Sequence, residues 1–94
     1  SRATEQFDRA LELNPNSVDA LNGKGVVATK SRDYAEAVKM FAQASEKDPA
    51  NGGFLINLAI VYHLQGDGAK AAETYSKAVS LDSSLAGQLD FLEK

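Results

Sequence analysis

The chain has 94 residues, a formal charge of −3 and no cysteine. The length suggests one domain, disulfides and thiolate metal sites are impossible, and the acidic balance argues against nucleic acid, which needs concentrated lysine and arginine. The longest apolar stretch, 54–64, is interrupted by Asn57 and His63. It falls well short of the roughly 20 residues of a membrane span, so no membrane insertion is expected. No targeting pattern is visible, which leaves the cytoplasm as the default, and a chain that opens on Ser1 is open to having lost its true start.

The first predicted element is a helix over about 2–13, where Ala3, Phe7, Ala10 and Leu11 fall on one stripe of a 3.6-residue period. Asn14, Pro15, Asn16 and Ser17 end it: Pro15 disfavours helical geometry at Asn14, and Ser17 is a ready N-cap for the next helix. That helix runs to about Lys30 with Leu21, Gly25 and Ala28 inward, and 31–33 break it. A third helix, Tyr34 to Lys47, carries Ala37, Val38, Phe41 and Ala44. The turn-rich stretch 48–53 separates it from an apolar helix, Phe54 to Gln65, with Leu55, Leu58, Ala59 and Tyr62 inward. Gly66, Asp67 and Gly68 form a strong turn signal before a fifth helix, Ala69 to Leu81. A short sixth, Leu85 to Glu93, aligns Leu85, Leu89 and Leu92.

These elements repeat. A shift of 34 residues lays Ala3, Phe7, Ala10 and Pro15 on Ala37, Phe41, Ala44 and Pro49, and a second shift lays Ala37, Phe41 and Ala44 on Ala71, Tyr75 and Ala78. The same offset pairs Leu21 with Leu55, Gly25 with Ala59 and Asp33 with Asp67. Alanine and glycine stand where helices of one hairpin must touch, and the aromatic fills the gap beside them. Six helices with short connections predict an all-α stack of antiparallel hairpins, read by its period as an array.

With Ala20, Leu21, Gly25, Asp33 to Ala37, Phe41, Ala44, Asp48 and Pro49 in one copy, and Asn57 to Ala59, Tyr62, Gly66, Asp67, Ala71, Tyr75, Ala78 and Asp82 in the next, the chain resembles a tetratricopeptide repeat (TPR) protein. The resemblance implies a right-handed α-solenoid of about two repeats, 17–51 and 52–83. It is preceded by the second helix of an incomplete repeat, 1–16, and followed by a capping helix, 84–94. The opening helix is then expected to present an uncovered apolar edge. Three positions depart from the pattern: Lys24 and Gly68 stand where leucine and tyrosine are usual, and Ser83 replaces the proline. Lys24 is expected to snorkel along its aliphatic stem, and the last repeat to be looser.

Catalytic signals are missing: no nucleophile elbow, phosphate loop or HExxH occurs, and His63 is the only histidine. Neither a catalytic residue, a metal site nor a cofactor is expected, and the chain reads as a non-enzyme. Glu5 with Arg9 and Glu73 with Lys77 stand four apart in the order that favours helix-surface pairing. The resemblance implies a groove lined by the first helix of each repeat that takes a peptide or helix of a partner protein. Candidate binding residues are the stripe Asn22, Val26, Thr29 and Lys30, and the stripe Ile56, Asn57, Ile60, His63 and Leu64. Val26 and Ile60 are equally suited to packing between repeats. A self-associating scaffold that stacks through the terminal helices, the first included, is the alternative.

Some TPR proteins grip acidic C-terminal tails with a clamp of lysines, an arginine and asparagines; the corresponding positions here read Asn22, Val26, Asn57, Gly87 and Phe91. Only Asn57 matches. Titration with a peptide ending in Glu-Glu-Val-Asp should therefore show no micromolar binding that is lost when its terminal carboxylate is amidated.

Overall fold

The computed structural model describes residues 2–89. These form α1 (Arg2–Leu13), α2 (Val18–Lys30), α3 (Tyr34–Lys47), α4 (Gly53–Leu64), α5 (Gly68–Leu81) and a short 3-10 helix, Ser83–Leu85. Each α-helix packs on its neighbours in sequence, α1 on α2 through α4 on α5. This nearest-neighbour packing is what a stack of hairpins produces.

Local chemistry sets the helix boundaries, and it repeats with the period. Ser17 Oγ accepts the Ala20 N–H at 3.3 Å to start α2, and the carboxylates of Asp33 and Asp67 accept the N–H of Glu36 and Lys70 at 3.3 and 3.0 Å to start α3 and α5. At the ends of α2 and α4 the chain closes the same way twice: the Asp33 N–H reaches Ala28 O at 2.8 Å, and the Asp67 N–H reaches Tyr62 O at 2.9 Å. Such a closure puts one residue in the left-handed region. In α4 that residue is Gly66, with φ 84°; one period earlier it is Arg32, with φ 63°.

The core is continuous along the stack. Phe41 packs with Ala28, Ala37, Leu58 and Val61 between the two hairpins; Leu21, Met40, Ala44 and Phe54 lie below, and Ile56, Ala59, Tyr75, Ala78 and Leu89 form the next layer. Burial of one such aromatic ring contributes roughly 1.5 to 3 kcal/mol. Two glycines decide how closely helices approach. A Cβ at Gly25 would stand 2.6 Å from the Phe41 ring, and one at Gly23 would stand 2.3 Å from the ring of Phe7.

Four expectations are corrected or sharpened. The sixth helix does not begin as an α-helix at Leu85: the chain finishes a 3-10 turn there, and 86–89 form a hydrogen-bonded turn, with 90–94 outside the described residues. Gly87, at φ 89°, reverses the chain, and its N–H is held by the Tyr75 hydroxyl at 2.8 Å. The edge of α1 is less bare than expected, because Phe7 rests half-buried against Gly23 and Leu11 packs beside Leu21 and Met40; Leu13 alone is left at 83% exposure among the described large apolar residues of that helix. Lys24 does more than snorkel, since its ammonium lies 2.6 Å from Asp8 on α1. Glu73 and Lys77 pair at 3.5 Å, whereas Glu5 and Arg9 do not.

Replacing Arg32 by glycine should raise stability. The left-handed conformation costs a non-glycine residue roughly 1 to 2 kcal/mol, offset by the roughly 0.5 to 1 kcal/mol of backbone entropy that glycine loses on folding. Thermal melts of Arg32→Gly should shift up by a few degrees, about 4 to 8 °C per kcal/mol in a domain of this size. The inward change Leu58→Ala should cost about 2 to 5 kcal/mol in the same assay.

Candidate functional site

The first helices of successive hairpins, α2 and α4, lie beside each other and are joined by a side-chain bond in which Asn57 Nδ2 donates to Asn22 Oδ1 at 3.1 Å. Next to this bridge is a hollow of ≈ 180 Å³ lined by Val26, Thr29, Lys30, Phe41, Asn57 and Ile60. Both stripes reach it because Val26 and Ile60 are one period apart, so the stacking that superimposes the repeats brings them to the same level. Phe41 is 2% exposed and forms its floor. Val26, at 36%, is open to solvent, while Ile60 is half-buried and also packs on the layer around Tyr75. Ile60 therefore packs between the repeats and also borders the hollow.

Polar groups around the hollow are partly committed. The Thr29 hydroxyl donates to Gly25 O at 2.8 Å, the back-bonding usual for threonine inside a helix. Its methyl and both oxygen lone pairs remain. Lys30 supplies the only charge among the described residues of the lining.

Of the nine expected binding residues, Val26, Thr29, Lys30, Asn57 and Ile60 line this hollow, and Asn22 is bound to Asn57 at its edge. His63 and Leu64 lie one turn further along α4, both exposed, Leu64 by 47%. Ile56 is a correction. It is 6% exposed and belongs to the core, where Leu85 and Leu89 pack on the same layer. The turn at Gly87 folds Leu89 back onto that layer, so the chain's own Leu85 and Leu89 cover the side of α4 at Ile56. Phe41, which its period assigns to the core alone, also lines this hollow. A wider, open depression of ≈ 680 Å³ follows α5 over Leu55, Glu73, Lys77 and Leu81. None of the expected residues borders it, and an exposed ion pair and two serines occupy much of its rim.

Ile56→Asp places a carboxylate in a packed layer and should lower stability by at least about 3 kcal/mol, as severely as Leu58→Ala. Leu64→Asp changes an exposed side chain and should stay within about 0.5 kcal/mol of the parent chain. Paired circular-dichroism melts separate the two.

Comparison with known proteins agrees with the helical-repeat fold. A tetratricopeptide repeat model matches residues 27–86, and a second one matches 7–39. In *Solanum lycopersicum*, the probable UDP-N-acetylglucosamine--peptide N-acetylglucosaminyltransferase SPINDLY is 32% identical over 83% of this chain and 8% of its own length. The heat-shock protein cognate co-chaperone sgt12 of *Aspergillus fumigatus* is 34% identical over 87% of this chain and 24% of its own length. Cellulose synthase 1 operon protein C of *Komagataeibacter xylinus* is 32% identical over 94% of this chain, which spans 7% of that relative. Among solved structures, YrrB, described as a TPR protein with an unusual peptide-binding site, superimposes with a TM-score of 0.82 at 29% identity, covering 90% of this chain and 45% of YrrB. No helix among the described residues is long and apolar enough to cross a membrane. The repeated caps, the glycine and aromatic contacts and the matching family models lead to one conclusion: the chain belongs to the tetratricopeptide repeat family.

Proposed function

We propose that this chain is a protein-interaction module without catalytic activity of its own, and that it holds a segment of a partner protein along α2 and α4. One observation carries the reading: Val26, Ile60 and Phe41 build an apolar hollow that stays open to solvent between two helices, with asparagine amides and a lysine at its margin. Apolar lining with a few placed polar groups is the usual composition of a site that takes another molecule's side chains. Support also comes from the company the fold keeps, since YrrB is described by its peptide-binding site and sgt12 as a co-chaperone. The transferase named for SPINDLY is far longer than this chain, which spans 8% of it, and its activity is not carried over.

Self-association is the competing reading, favoured by Leu13 and Leu81, exposed by 83% and 49% at the ends of α1 and α5. Light scattering across a concentration series separates the two, because a scaffold grows with concentration and an adaptor keeps its monomer mass. For the groove itself, a displayed random dodecapeptide library provides the probe. Selected peptides should shift the amide resonances of Asn22, Val26, Asn57 and Ile60 and lose at least tenfold in affinity against Ile60→Glu. Selection of peptides that instead shift Glu73, Ser76 and Lys77 on α5 would overturn the assignment.

A further inference from the structure

Building on the groove reading above, we infer that the hollow selects an extended segment with an aliphatic side chain followed, two residues on, by an aspartate or glutamate. The aliphatic part follows from the lining: Val26 and Ile60 form the walls and Phe41 the floor, and a hollow of ≈ 180 Å³ admits one such side chain. An extended ligand suits the site better than a helix, which is roughly 10 to 12 Å across, because the hollow is about one side chain in size and the Asn57 to Asn22 bond bridges α2 and α4 beside it.

The acidic part follows from charge. Among the described residues Lys30 is the one ionic group of the lining, it is exposed, and it makes no ion pair. The chain as a whole carries an excess of acid, with a formal charge of −3, whereas the described lining of the hollow carries a cation and no carboxylate. On α4 the position one period from Lys30 is Leu64, which brings no carboxylate to neutralise it.

A helix C-terminus ordinarily repels an anion, because its last carbonyls are unpaired. Here the carbonyls of Val27, Ala28 and Thr29 already accept from the N–H groups of Ser31, Asp33 and Arg32. The obstacle to an anion beside Lys30 is thereby reduced. The Thr29 hydroxyl next to it donates to Gly25 O, so Lys30 is the donor left at that end of the hollow.

Spacing joins the two parts. Lys30 follows Val26 by four residues, about 6 Å along a helix. In an extended ligand, residues two apart point to the same side and are roughly 6.6 Å apart. An aliphatic side chain seated against Val26 therefore brings the side chain two positions away to Lys30. No free terminal carboxylate is involved, which separates this mode from a clamp on a chain end.

The experiment uses the same displayed library, with selected peptides resynthesised carrying acetylated and amidated ends. Valine, isoleucine or leucine followed two positions later by an acidic residue should recur among them. Changing that acid to its amide should weaken binding about three- to tenfold, and 0.5 M NaCl should remove most of the difference, since exposed charges are screened at that ionic strength. Against Lys30→Glu the preference should turn to lysine or arginine at the same position. Peptides that bind without regard to that acid, or a Lys30→Glu protein with an unchanged preference, would overturn this inference; if their binding still falls on Ile60→Glu, the groove reading stands. Peptides indifferent to Ile60→Glu as well would overturn both.

Discussion

The Phe41 ring lies so close to the backbone of α2 that Gly25 has no room for a Cβ, which would come within 2.6 Å of it. This contact sets the separation of α2 and α3, and with it the depth of everything built on them. Phe7 over Gly23 makes a similar demand between α1 and α2, at 2.3 Å. In the second hairpin Ala59 replaces the glycine and Tyr75 the phenylalanine, and both are buried. Interiors packed to crystal-like density leave little slack, so the small residue and the ring act as a pair. The same Phe41 then forms the floor of the hollow, which links the stability of the stack to the shape of its candidate site.

The tyrosine of the last copy adds a polar function to a packing role. Its hydroxyl accepts the Gly87 N–H, fixing the reversal that folds Leu89 back onto the layer around Ile56. Nearby, Asp82 stands at the start of the 3-10 turn and accepts from the hydroxyl and the N–H of Ser84 at 2.6 and 3.0 Å. The Ser84 hydroxyl first, and its N–H second, hold that carboxyl below its usual range. With Ser83 in the proline position, hydrogen bonds donated by Ser84 to Asp82 organise this turn.

Two polar contacts between helices lie at the edges of the apolar layers. Asp8 and Lys24 join α1 to α2, and Asn22 and Asn57 join α2 to α4. Lys24 occupies a position where the family usually buries leucine, and its ammonium is turned to a carboxylate that is half exposed to solvent. An ion pair of this kind adds little stability by itself. Its effect is to let a lysine stand in the contact between α1 and α2 without leaving a buried charge unpaired.

The sequence by itself determined the architecture. Period 34, the alternation of small and aromatic residues, and the caps at Ser17, Asp33 and Asp67 are local or strictly repeating features, and each helix boundary follows from chemistry within a few residues of it. It also placed Val26, Thr29, Lys30, Asn57 and Ile60 on facing stripes, because helical spacing and the repeat offset fix direction and level together. Only the tertiary structure decided the fate of Ile56, the partner of Lys24 and the use of Phe41 as a floor. Each depends on where a distant segment lies: Leu89 reaches Ile56 through a glycine turn, Asp8 meets Lys24 from the preceding helix, and Phe41 is seen from α4. An apolar stripe looks the same in sequence whether its cover is the chain's own end or another molecule, because burial depends on which surface arrives there and periodicity records only which way a side chain points.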